Sequence, residues 1–343
     1  MTQIYVAWWN VENLFDVMPW NARARKIKNI SSTLKSDLKN WDQPKLTKKL
    51  EQLAEIIKEM NNNNGPDILG VCEIENENVL QKLISKIKTG NLANRDYGVV
   101  HYDGPDPRGI DVAFIYDKDM FDFHPKDPNA PHDDVNSRYW FSHEVIKRSP
   151  TRDIFQVNFH LKTRHNEPFI LVGNHWPSRM SGTYETEPYR IIAAETLSYF
   201  NLRIQQEYGK NTPILMMGDF NDDPGSRSLT DYALSMRNKN KVINAKKNPN
   251  LFNLMWPLMN EGYGSYWYDF PLFFDQFLVS KGFLINDAYL SVVEDSVQVI
   301  KPPKMWKKPN GDYPQPRRFG TKDANIELNG YSDHFPISVT LTT

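Results

Sequence analysis

Short apolar runs that end in carboxylate, amide or imidazole side chains recur along the whole chain. The run at residues 4–9 is followed by Asn10, and the run at residues 67–72 is followed by Glu73. β-Branched and aromatic residues in runs of this length predict strands. Loops at the ends of several strands often meet at one rim, where they assemble an active site. The sequence therefore predicts a sheet-based fold with its chemistry gathered at one edge.

Helices are predicted wherever apolar residues recur with the period of an α-helix. They cover residues 47–60, 78–88 and 185–208, with a weaker helical pattern at 226–236. Further strands are predicted at residues 97–102, 110–116, 138–146, 154–161, 169–174, 213–217, 273–279 and 336–341. The Asp- and Pro-rich residues 117–134 are predicted to form a surface loop. This mixture indicates layered α/β or α+β packing, and because no repeat or linker is evident we predict one catalytic domain over residues 1–343.

The overall charge and the cysteine count exclude several classes of protein. A formal net charge of -1 argues against a wholly basic protein that coats nucleic acid, although it is compatible with a local basic groove. The single cysteine, Cys72, excludes an internal disulfide and is predicted to be a packed thiol in a buried strand. We see no signal peptide and no run near the roughly 18 apolar residues of a membrane span, so we expect a soluble, cytoplasmic protein.

Each polar cluster, taken alone, has an ordinary structural explanation. Residues 219–224 could form a turn, because Asp, Asn and Pro favour turns. Glu73 could pair at the surface, and His175 could be a hydrogen-bonded structural histidine. Asp275 is harder to explain in this way, since it stands among three phenylalanines and a buried carboxylate is costly without a partner. We therefore predict a paired or functional role for Asp275.

Taken together, the clusters resemble the endonuclease/exonuclease/phosphatase superfamily, which includes pancreatic deoxyribonuclease, apurinic endonucleases, sphingomyelinases and inositol polyphosphate phosphatases. The matching motifs occur in the family's order and cover nearly the whole chain, at residues 9–15, 67–73, 174–179, 218–221, 274–277 and 332–336. Residues 108–113 and 174–179 resemble a bacterial branch in particular. The resemblance implies an α/β fold, a four-layer α/β sandwich of two packed mixed β-sheets flanked by helices, with the active site at one end.

The resemblance also implies a divalent-metal site that hydrolyses a phosphate ester with water. Glu73 matches the family's metal carboxylate, and Asn10 and Asp333 would lie beside the ion. Oxygen ligands suit Mg²⁺, with Mn²⁺ as a plausible substitute. Asp219 matches the residue that positions or deprotonates the attacking water. Asn221 matches an amide that holds either the phosphate or this water.

Two histidines complete the set that the resemblance implies. His334 with Asp275 resembles a pair in which the carboxylate orients the imidazole. Whether His334 or Asp219 is the general base stays open at this point. His175 matches a second histidine that contacts the scissile phosphate, a position at which apurinic endonucleases carry a tyrosine instead.

Two further residues of the motif at residues 174–179 are candidate ligands of the substrate phosphate. Arg179 could bind phosphate bidentately, with a surface salt bridge as the alternative. Asn174 is the second candidate. Asp111, which follows Arg108 and a glycine at the start of a strand, is expected at the rim of the site, with a structural turn as the alternative.

Cations alternate with aromatic residues and prolines over residues 299–320. This pattern suits contacts with a phosphate backbone and with stacked bases, or else a solvated proline-rich loop. The candidate nucleic-acid contacts are Lys304, Lys307, Arg317 and Arg318. A second basic stretch lies at residues 23–28, close in sequence to Asn10.

We therefore predict a nuclease that cleaves phosphodiester bonds of nucleic acid. A phosphorylated small molecule or a lipid headgroup is the alternative substrate, which would make the protein a phosphomonoesterase or a phospholipid phosphodiesterase. A non-catalytic binding module on the same fold is a third alternative, although every catalytic residue type that the resemblance implies is present. Endo- or exo-action, the number of metal ions and the oligomeric state stay open.

Overall fold

The computed structural model describes residues 2–26, 30–122, 139–308, 313–320 and 326–343. Within these residues the helices are α1 (Trp20–Lys26), α2 (Ser32–Asp37), α3 (Gln43–Asn63), α4 (Glu77–Ile87), α5 (Thr183–Tyr208) and α6 (Lys239–Ile243). The strands are β1 (Gln3–Leu14), β2 (Ile68–Ile74), β3 (Tyr97–His101), β4 (Asp111–Asp117), β5 (Phe121–Asp122), β6 (Trp140–His143), β7 (Ile154–Leu161), β8 (Arg164–His175), β9 (Ile214–Asp219), β10 (Ser235–Met236), β11 (Leu251–Asn253), β12 (Tyr266–Tyr268), β13 (Phe270–Leu272), β14 (Asp275–Val279), β15 (Ser291–Val299), β16 (Trp306–Lys307), β17 (Gln315–Pro316) and β18 (Ile337–Thr342).

A six-stranded mixed sheet joins strands from the first third of the chain to strands near its C-terminus. Its strand order is β15-β18-β1-β2-β4-β3. Because β1 runs parallel to β2 and antiparallel to β18, the carboxyl ends of β1 and β2 lie at the same edge as the amino end of β18. The strand predicted at residues 4–9 is longer than expected, since β1 continues through Asn10 to Leu14.

An eight-stranded mixed sheet contains the middle of the chain. Its order is β10-β11-β14-β9-β8-β7-β5, and β6 also pairs with β7. β8 runs parallel to β9, with His175 opposite Asp219, and β14 runs antiparallel to β9, with Asp275 opposite Asp219. These three strands therefore carry their polar residues to one edge of the sheet.

The two sheets pack face to face, because alternate residues of their strands point to opposite sides. Leu171 of β8 and Met217 of β9 belong to the core shared with the six-stranded sheet. Their neighbours Ile170 and Val172 pack under α5 instead. At Gly70 the sheets approach so closely that a Cβ atom would lie 2.8 Å from Sδ of Met217.

Helices form the outer layers of the fold. α3 packs against α4 and β1, and α4 packs against β3. On the opposite side, Ala194 and Leu197 of α5 lie in the core that covers the eight-stranded sheet. Asn76 caps α4 by accepting a hydrogen bond from the backbone N–H of Val79 at 2.8 Å. The predicted four-layer α/β sandwich is confirmed.

Most predicted elements occur, with boundaries moved by a few residues. The strand predicted at residues 154–161 coincides with β7. The helix predicted at residues 226–236 is wrong, because a single π-helical turn, Ser228–Tyr232, is followed by β10. Leu234 between them has a φ of 56°, which a continuing right-handed helix does not allow.

Two predicted segments extend beyond the part of the chain that the structure describes. In the loop predicted at residues 117–134, residues 117–122 include the end of β4 and the short strand β5, and residues 123–134 lie outside the described residues. β6 covers only the middle of the strand predicted at residues 138–146. Cys72 is buried in β2, as predicted, and burial raises the pKa of its thiol. None of the described helices has the length and apolar character needed to cross a bilayer.

Candidate active site

A buried histidine–aspartate pair lies at the edge where the polar strand ends meet. Nδ1 of His334 is 2.6 Å from Oδ2 of Asp275. The other carboxylate oxygen of Asp275 accepts a hydrogen bond from Nε1 of Trp8 at 2.9 Å, and its backbone N–H donates to the hydroxyl of Ser265. Asp275 has no exposed surface, so these groups fix its carboxylate and thereby the orientation of the imidazole.

The charge of His334 follows from its neighbours. Burial lowers its pKa, but the carboxylates of Asp275 and Asp219 outweigh burial and raise the pKa to about 10. The imidazole is therefore a cation at neutral pH. Its Nε2 atom lies 3.8 Å from Oδ2 of Asp219, where a charged N–H can donate to a phosphoryl oxygen.

Asp219 ends β9 and is held by two amide groups. Its Oδ2 accepts a hydrogen bond from Nδ2 of Asn10 at 3.1 Å, and its Oδ1 accepts one from the backbone N–H of Asn221 at 2.9 Å. Burial raises the pKa of Asp219 to about 6. The charge of His334 opposes this increase, and the charge of Asp275 adds to it. A carboxylate whose pKa lies near neutrality is suited to accept a proton from water.

His175 at the end of β8 links Asp219 to Glu73 of the other sheet. Nε2 of His175 lies 3.5 Å from Oε1 of Glu73 and 3.8 Å from Oδ2 of Asp219. Burial, with the charges of Arg152 and Arg108, holds the pKa of His175 well below its usual value, so this imidazole is neutral at neutral pH. Its Nδ1 atom has no hydrogen-bond partner among the described residues.

Backbone bulges aim Glu73 and Asn10 at this edge. Glu73 has a φ of 63°, and the pairing of β2 with β4 shifts register at this residue, between Cys72 and Ile74. A similar shift in β1 places Glu12 at a φ of 51°, with its backbone N–H donating to Oδ1 of Asn10 at 3.0 Å. Left-handed backbone at non-glycine residues is costly and is concentrated at functional sites.

Asp333 adds a further carboxylate beside the end of β1. Burial and then the charge of Glu12 raise the pKa of Asp333 to about 7, with Glu73 adding to the increase, although 28% of the Asp333 side chain stays exposed. Arg318, 3.9 Å away, opposes this increase. Carboxylates that repel one another in this way fit a divalent cation. Carboxylate oxygens such as those of Glu73 and Asp333, and an amide oxygen such as that of Asn10, are the kinds of donor that Mg²⁺ prefers.

Residues 5–343 match the model of the Endonuclease/Exonuclease/phosphatase family. This chain is a member of the endonuclease/exonuclease/phosphatase family. The resemblance inferred from the motifs is therefore confirmed over almost the full length, and at this coarse level the chain is a phosphoesterase. No curated protein sequence gives a significant match.

Solved structures with this fold come from bacteria and from animals. An endonuclease/exonuclease/phosphatase family protein of Bacteroides thetaiotaomicron has a TM-score of 0.52 and 17% identity, over 99% of this chain and 95% of that chain. The mannosyl-6-phosphatase of the same organism has a TM-score of 0.52 and 16% identity, over 99% of this chain and 100% of that chain. TDP2 of D. rerio, humanized by 14 mutations, has a TM-score of 0.56 and 12% identity, over 99% of each chain. At such identities the similarity concerns the fold.

Arg179 and Asn174 were predicted to bind the substrate phosphate. Both form hydrogen bonds within the fold. Nε of Arg179 donates to the carbonyl oxygen of Asn221 at 2.8 Å, and its guanidinium pairs with Asp222, so the salt-bridge alternative describes its position. Oδ1 of Asn174 accepts a hydrogen bond from Nε1 of Trp176 at 3.1 Å, and its Nδ2 donates to carbonyl oxygens of β8 and β9. Asn174 is fully buried, so this geometry does not support its predicted contact with a phosphate.

Three of the four cations predicted to contact nucleic acid form ion pairs within the chain. The partners are Glu55 and Glu59 for Lys304, Glu327 for Arg317 and Glu12 for Arg318. Lys307 is exposed on β16. In the second basic stretch, Arg23 is buried against Glu75, and residues 27–29 lie outside the described residues. The basic surface among the described residues is therefore weaker than the sequence indicates.

Arg152 and Arg108 act on the site although neither was a predicted site residue. Nε of Arg152 donates to the carbonyl oxygen of His175 at 3.1 Å, and its Nη1 donates to Oδ2 of Asp106 at 3.1 Å. Arg108 pairs with the other oxygen of Asp106. The ion pair of Arg152 with Asp106 therefore holds the end of β8 in place. Arg108 lies in the motif at residues 108–113 and could have been recognised there, whereas the residues around Arg152 carry no such signal.

A second group of potential metal ligands surrounds Asp111, which was expected at the rim of the site. The ligand atoms of His101, Asp103 and Asp111 all lie within 4.8 Å of one another. Nε2 of His101 is 3.1 Å from Oδ2 of Asp111, and Oδ1 of Asp111 accepts a hydrogen bond from the backbone N–H of Gly104 at 2.9 Å. These bonds also suit the structural alternative, in which Asp111 closes a turn.

Proposed function

We propose that the chain is a Mg²⁺-dependent phosphodiesterase that hydrolyses nucleic acid in the cytoplasm, with Mn²⁺ as a substitute ion. One observation carries the proposal: contacts of 3.8 Å or less lead from Glu73 through His175 and Asp219 to His334. These side chains come from both sheets and meet at one edge of the fold. A nucleophile, a base and an electrophilic group within reach of one reacting atom are what hydrolysis requires.

The residues proposed to hold the cation are Asn10, Glu73 and Asp333. Their oxygen atoms, and the raised pKa of Asp333 beside other carboxylates, support a site for a hard divalent ion. When bound, such an ion supplies positive charge that stabilises the negative charge developing on the phosphoryl oxygens.

Asp219 is proposed as the general base and His334 as the group that stabilises the phosphate. With a pKa of about 6, Asp219 is ionised at neutral pH and takes a proton from the attacking water. With a pKa of about 10, His334 is already protonated, so it donates its Nε2–H to a phosphoryl oxygen instead of accepting a proton. The water oxygen bonds to phosphorus, the ester bond breaks, and the leaving oxygen takes up a proton from solvent.

His175 and Arg108 are proposed to bind the same phosphate in the ground state. The Nε2 atom of His175 lies between Glu73 and Asp219 and is suited to donate a hydrogen bond to a phosphate oxygen. The guanidinium of Arg108 is partly exposed and lies close enough to His175 to lower its pKa. Its charge therefore also acts on a phosphate bound beside His175.

A second candidate function is a phosphomonoesterase that acts on a phosphorylated sugar. It is favoured by the ion pairs of Lys304, Arg317 and Arg318, which neutralise much of the surface expected to attract a polyanion. The mannosyl-6-phosphatase of Bacteroides thetaiotaomicron, which shares the fold, is by its name an enzyme of this kind. A lipid headgroup stays a further predicted substrate, and no contact among the described residues supports it.

A substrate panel tests the proposal directly. Single-stranded DNA, duplex DNA, RNA, a hexose phosphate and a phospholipid are incubated with the protein in Mg²⁺, in Mn²⁺ and in EDTA. We expect hydrolysis of a nucleic acid that EDTA and Asp219→Ala abolish and that Asp231→Ala, a change of an exposed carboxylate, leaves intact. Hydrolysis of the hexose phosphate alone would favour the second candidate.

A further inference from the structure

A short β-hairpin projects from the chain immediately before Asp275. It consists of β12 and β13, with Tyr268 paired opposite Phe270 and Tyr266 paired opposite Leu272. Asp269 closes the turn with a φ of 57°. Side chains of residues that pair directly lie on the same face of a hairpin, and so do those two positions apart. One face therefore carries all four of these apolar and aromatic side chains.

The base of this face contacts the active site. The ring of Tyr266 lies 4.7 Å from the imidazole of His334, centroid to centroid, and the two backbones form a β-bridge. On the Asp275 side, the ring of Tyr266 stacks on Phe274 at 5.0 Å with an angle of 15° between the planes. The hairpin is thus fixed by its base to the catalytic histidine.

The tip of the same face is exposed. Tyr268 and Phe270 have 66% and 58% of their surface accessible, whereas Leu272 below them is buried. Two residues along a strand correspond to about 6–7 Å, so both rings lie roughly that far beyond Tyr266. Successive nucleotides of a stacked strand rise by about 3.4 Å along its axis, so the two rings lie within about two nucleotides of a phosphate at His334.

Cations flank the hairpin on one side. β12 lies beside β17, the strand that leads into Arg318, and Lys307 is exposed on β16, which pairs with β17. Arg318 keeps 54% of its side chain exposed while it pairs with Glu12. Exposed aromatic rings next to cations match the requirements of a single nucleic-acid strand, whose bases stack while its phosphates are neutralised.

We propose that Tyr268 and Phe270 form a stacking subsite for an unpaired nucleobase of the strand whose phosphodiester lies at His334. This inference rests on the proposed function, because it assigns a place to the nucleic acid beyond the scissile phosphate. The subsite selects single-stranded substrate, since a base inside a duplex is already stacked on its neighbours and has no free face to offer to the two rings.

Equilibrium binding tests the subsite without catalysis. A fluorescein-labelled single-stranded oligonucleotide and an equally long strand of abasic tetrahydrofuran residues carry the same phosphates and differ only in their bases. In EDTA we expect the protein to bind the base-bearing strand about 5- to 100-fold more tightly. The double variant Tyr268→Ala/Phe270→Ala should bind both strands equally, and Tyr268→Phe, which keeps the ring, should retain the preference.

Tyr199→Ala is the matched control, because Tyr199 is an equally exposed aromatic residue on α5. It should leave the preference for bases unchanged. Equal binding of the two strands by the unmodified protein, or a preference that survives in the double variant, overturns the subsite. Competition by a hexose phosphate that the double variant loses also overturns it, since the rings would then bind a sugar.

Hydrolysis of the same strands separates this inference from the proposed function. If Mg²⁺ and Mn²⁺ support no cleavage while the preference depends on Tyr268 and Phe270, the proposed nuclease activity fails and the subsite stands. If both strands are cleaved at equal rates and bound equally, the activity stands and the subsite fails. Cleavage of the base-bearing strand that slows about 5- to 100-fold in the double variant supports both.

Discussion

Oδ2 of Asp275 lies 2.6 Å from Nδ1 of His334, although 59 residues separate them in the chain. The second oxygen of this carboxylate is occupied by the indole N–H of Trp8, which is 267 residues away from Asp275. The aspartate is therefore held from both sides and cannot turn away from the imidazole. Its charge keeps His334 protonated and directs Nε2 towards Asp219.

Replacement of Asp275 by asparagine tests this relationship. In Asp275→Asn the side chain keeps its size and its bond to Trp8, but the imidazole loses the charge that keeps it protonated. We expect kcat on the preferred phosphodiester to fall by about 100- to 10,000-fold with little change in KM. Steady-state kinetics measure the effect, and circular dichroism checks the fold. The exposed control Asp231→Asn should keep full activity, and an Asp275→Asn enzyme within a few-fold of the unmodified enzyme would contradict the role given to the pair.

Removal of one predicted metal ligand should abolish a stabilisation by divalent ions. Mg²⁺ or Mn²⁺ at saturating concentration should raise the Tm of the protein by about 2 °C or more, because the ion binds only the folded state. Glu73→Gln should lose most of this increase, whereas Glu77→Gln, a change of an exposed carboxylate three residues beyond the end of β2, should keep it. Differential scanning fluorimetry in EDTA and in each metal gives the comparison. An unchanged metal-dependent increase in Glu73→Gln would exclude Glu73 as a ligand.

Arg179 is expected to support the loop after β9 and not to bind substrate. Its guanidinium holds the carbonyl oxygen of Asn221 and the carboxylate of Asp222. Arg179→Ala should therefore lower the free energy of unfolding by about 1–3 kcal/mol and leave KM almost unchanged. Urea denaturation and kinetics are measured on the same preparations. A large increase in KM without loss of stability would restore the predicted role of Arg179 as a phosphate ligand.

The matched control for this change is Arg227→Ala. Arg227 pairs with Asp231 on the surface, and an exposed pair of this kind contributes only about 0–1 kcal/mol. Its removal should leave both stability and kinetics nearly unchanged. Equal losses in the two variants would show that the position of Arg179 beside the active-site loop has no special effect.

The ion pairs of Asp106 should make stability depend on pH in the acid range. Burial raises the pKa of Asp106, but the charges of Arg152 and Arg108 outweigh it and hold the pKa below the ordinary value of 3.8. Because the folded-state pKa is lower than that of the unfolded chain, the ionised carboxylate stabilises the fold above about pH 4. This contribution is lost as the pH falls through the folded-state pKa.

Asp106→Asn should remove this dependence together with the ion pairs. At about pH 7 the free energy of unfolding should fall by about 3 kcal/mol, because Arg152 is left buried without its carboxylate. From about pH 5 to about pH 3 the variant should lose less further stability than the unmodified protein. Urea denaturation across this range measures both effects. Parallel pH curves for the two proteins would show that Asp106 does not contribute in this way.

Local pattern was enough to predict most of the strands and the positions of their polar ends. β7 occurs where apolar and aromatic residues alternate with polar ones, and Asp275 was recognised because a carboxylate among phenylalanines needs a partner. The family resemblance then indicated which polar ends belong together. The prediction from apolar spacing was wrong at residues 226–236. The spacing there suits a helix, but the left-handed backbone conformation of Leu234 prevents the helical turn from continuing.

The partners of charged side chains could not be predicted in this way. Lys304 and Arg318 were expected to face a nucleic acid, yet they pair with Glu55 and Glu12, which lie 249 and 306 residues before them in the chain. Arg152 supports the carbonyl oxygen of His175 from a segment without any motif. None of these pairs is visible until the sheets have packed.

The sequence by itself therefore determined the α/β fold class, the family and the residue types at the strand ends, because strand periodicity and motif spacing are local properties of the chain. Only the tertiary structure decided which of these groups share one volume, which cations remain exposed and that Tyr266 of the aromatic hairpin lies against His334. The physical reason is that a charge or a ring is paired by whatever segment the packed sheets bring within a few ångströms of it, and that proximity is a property of the whole fold.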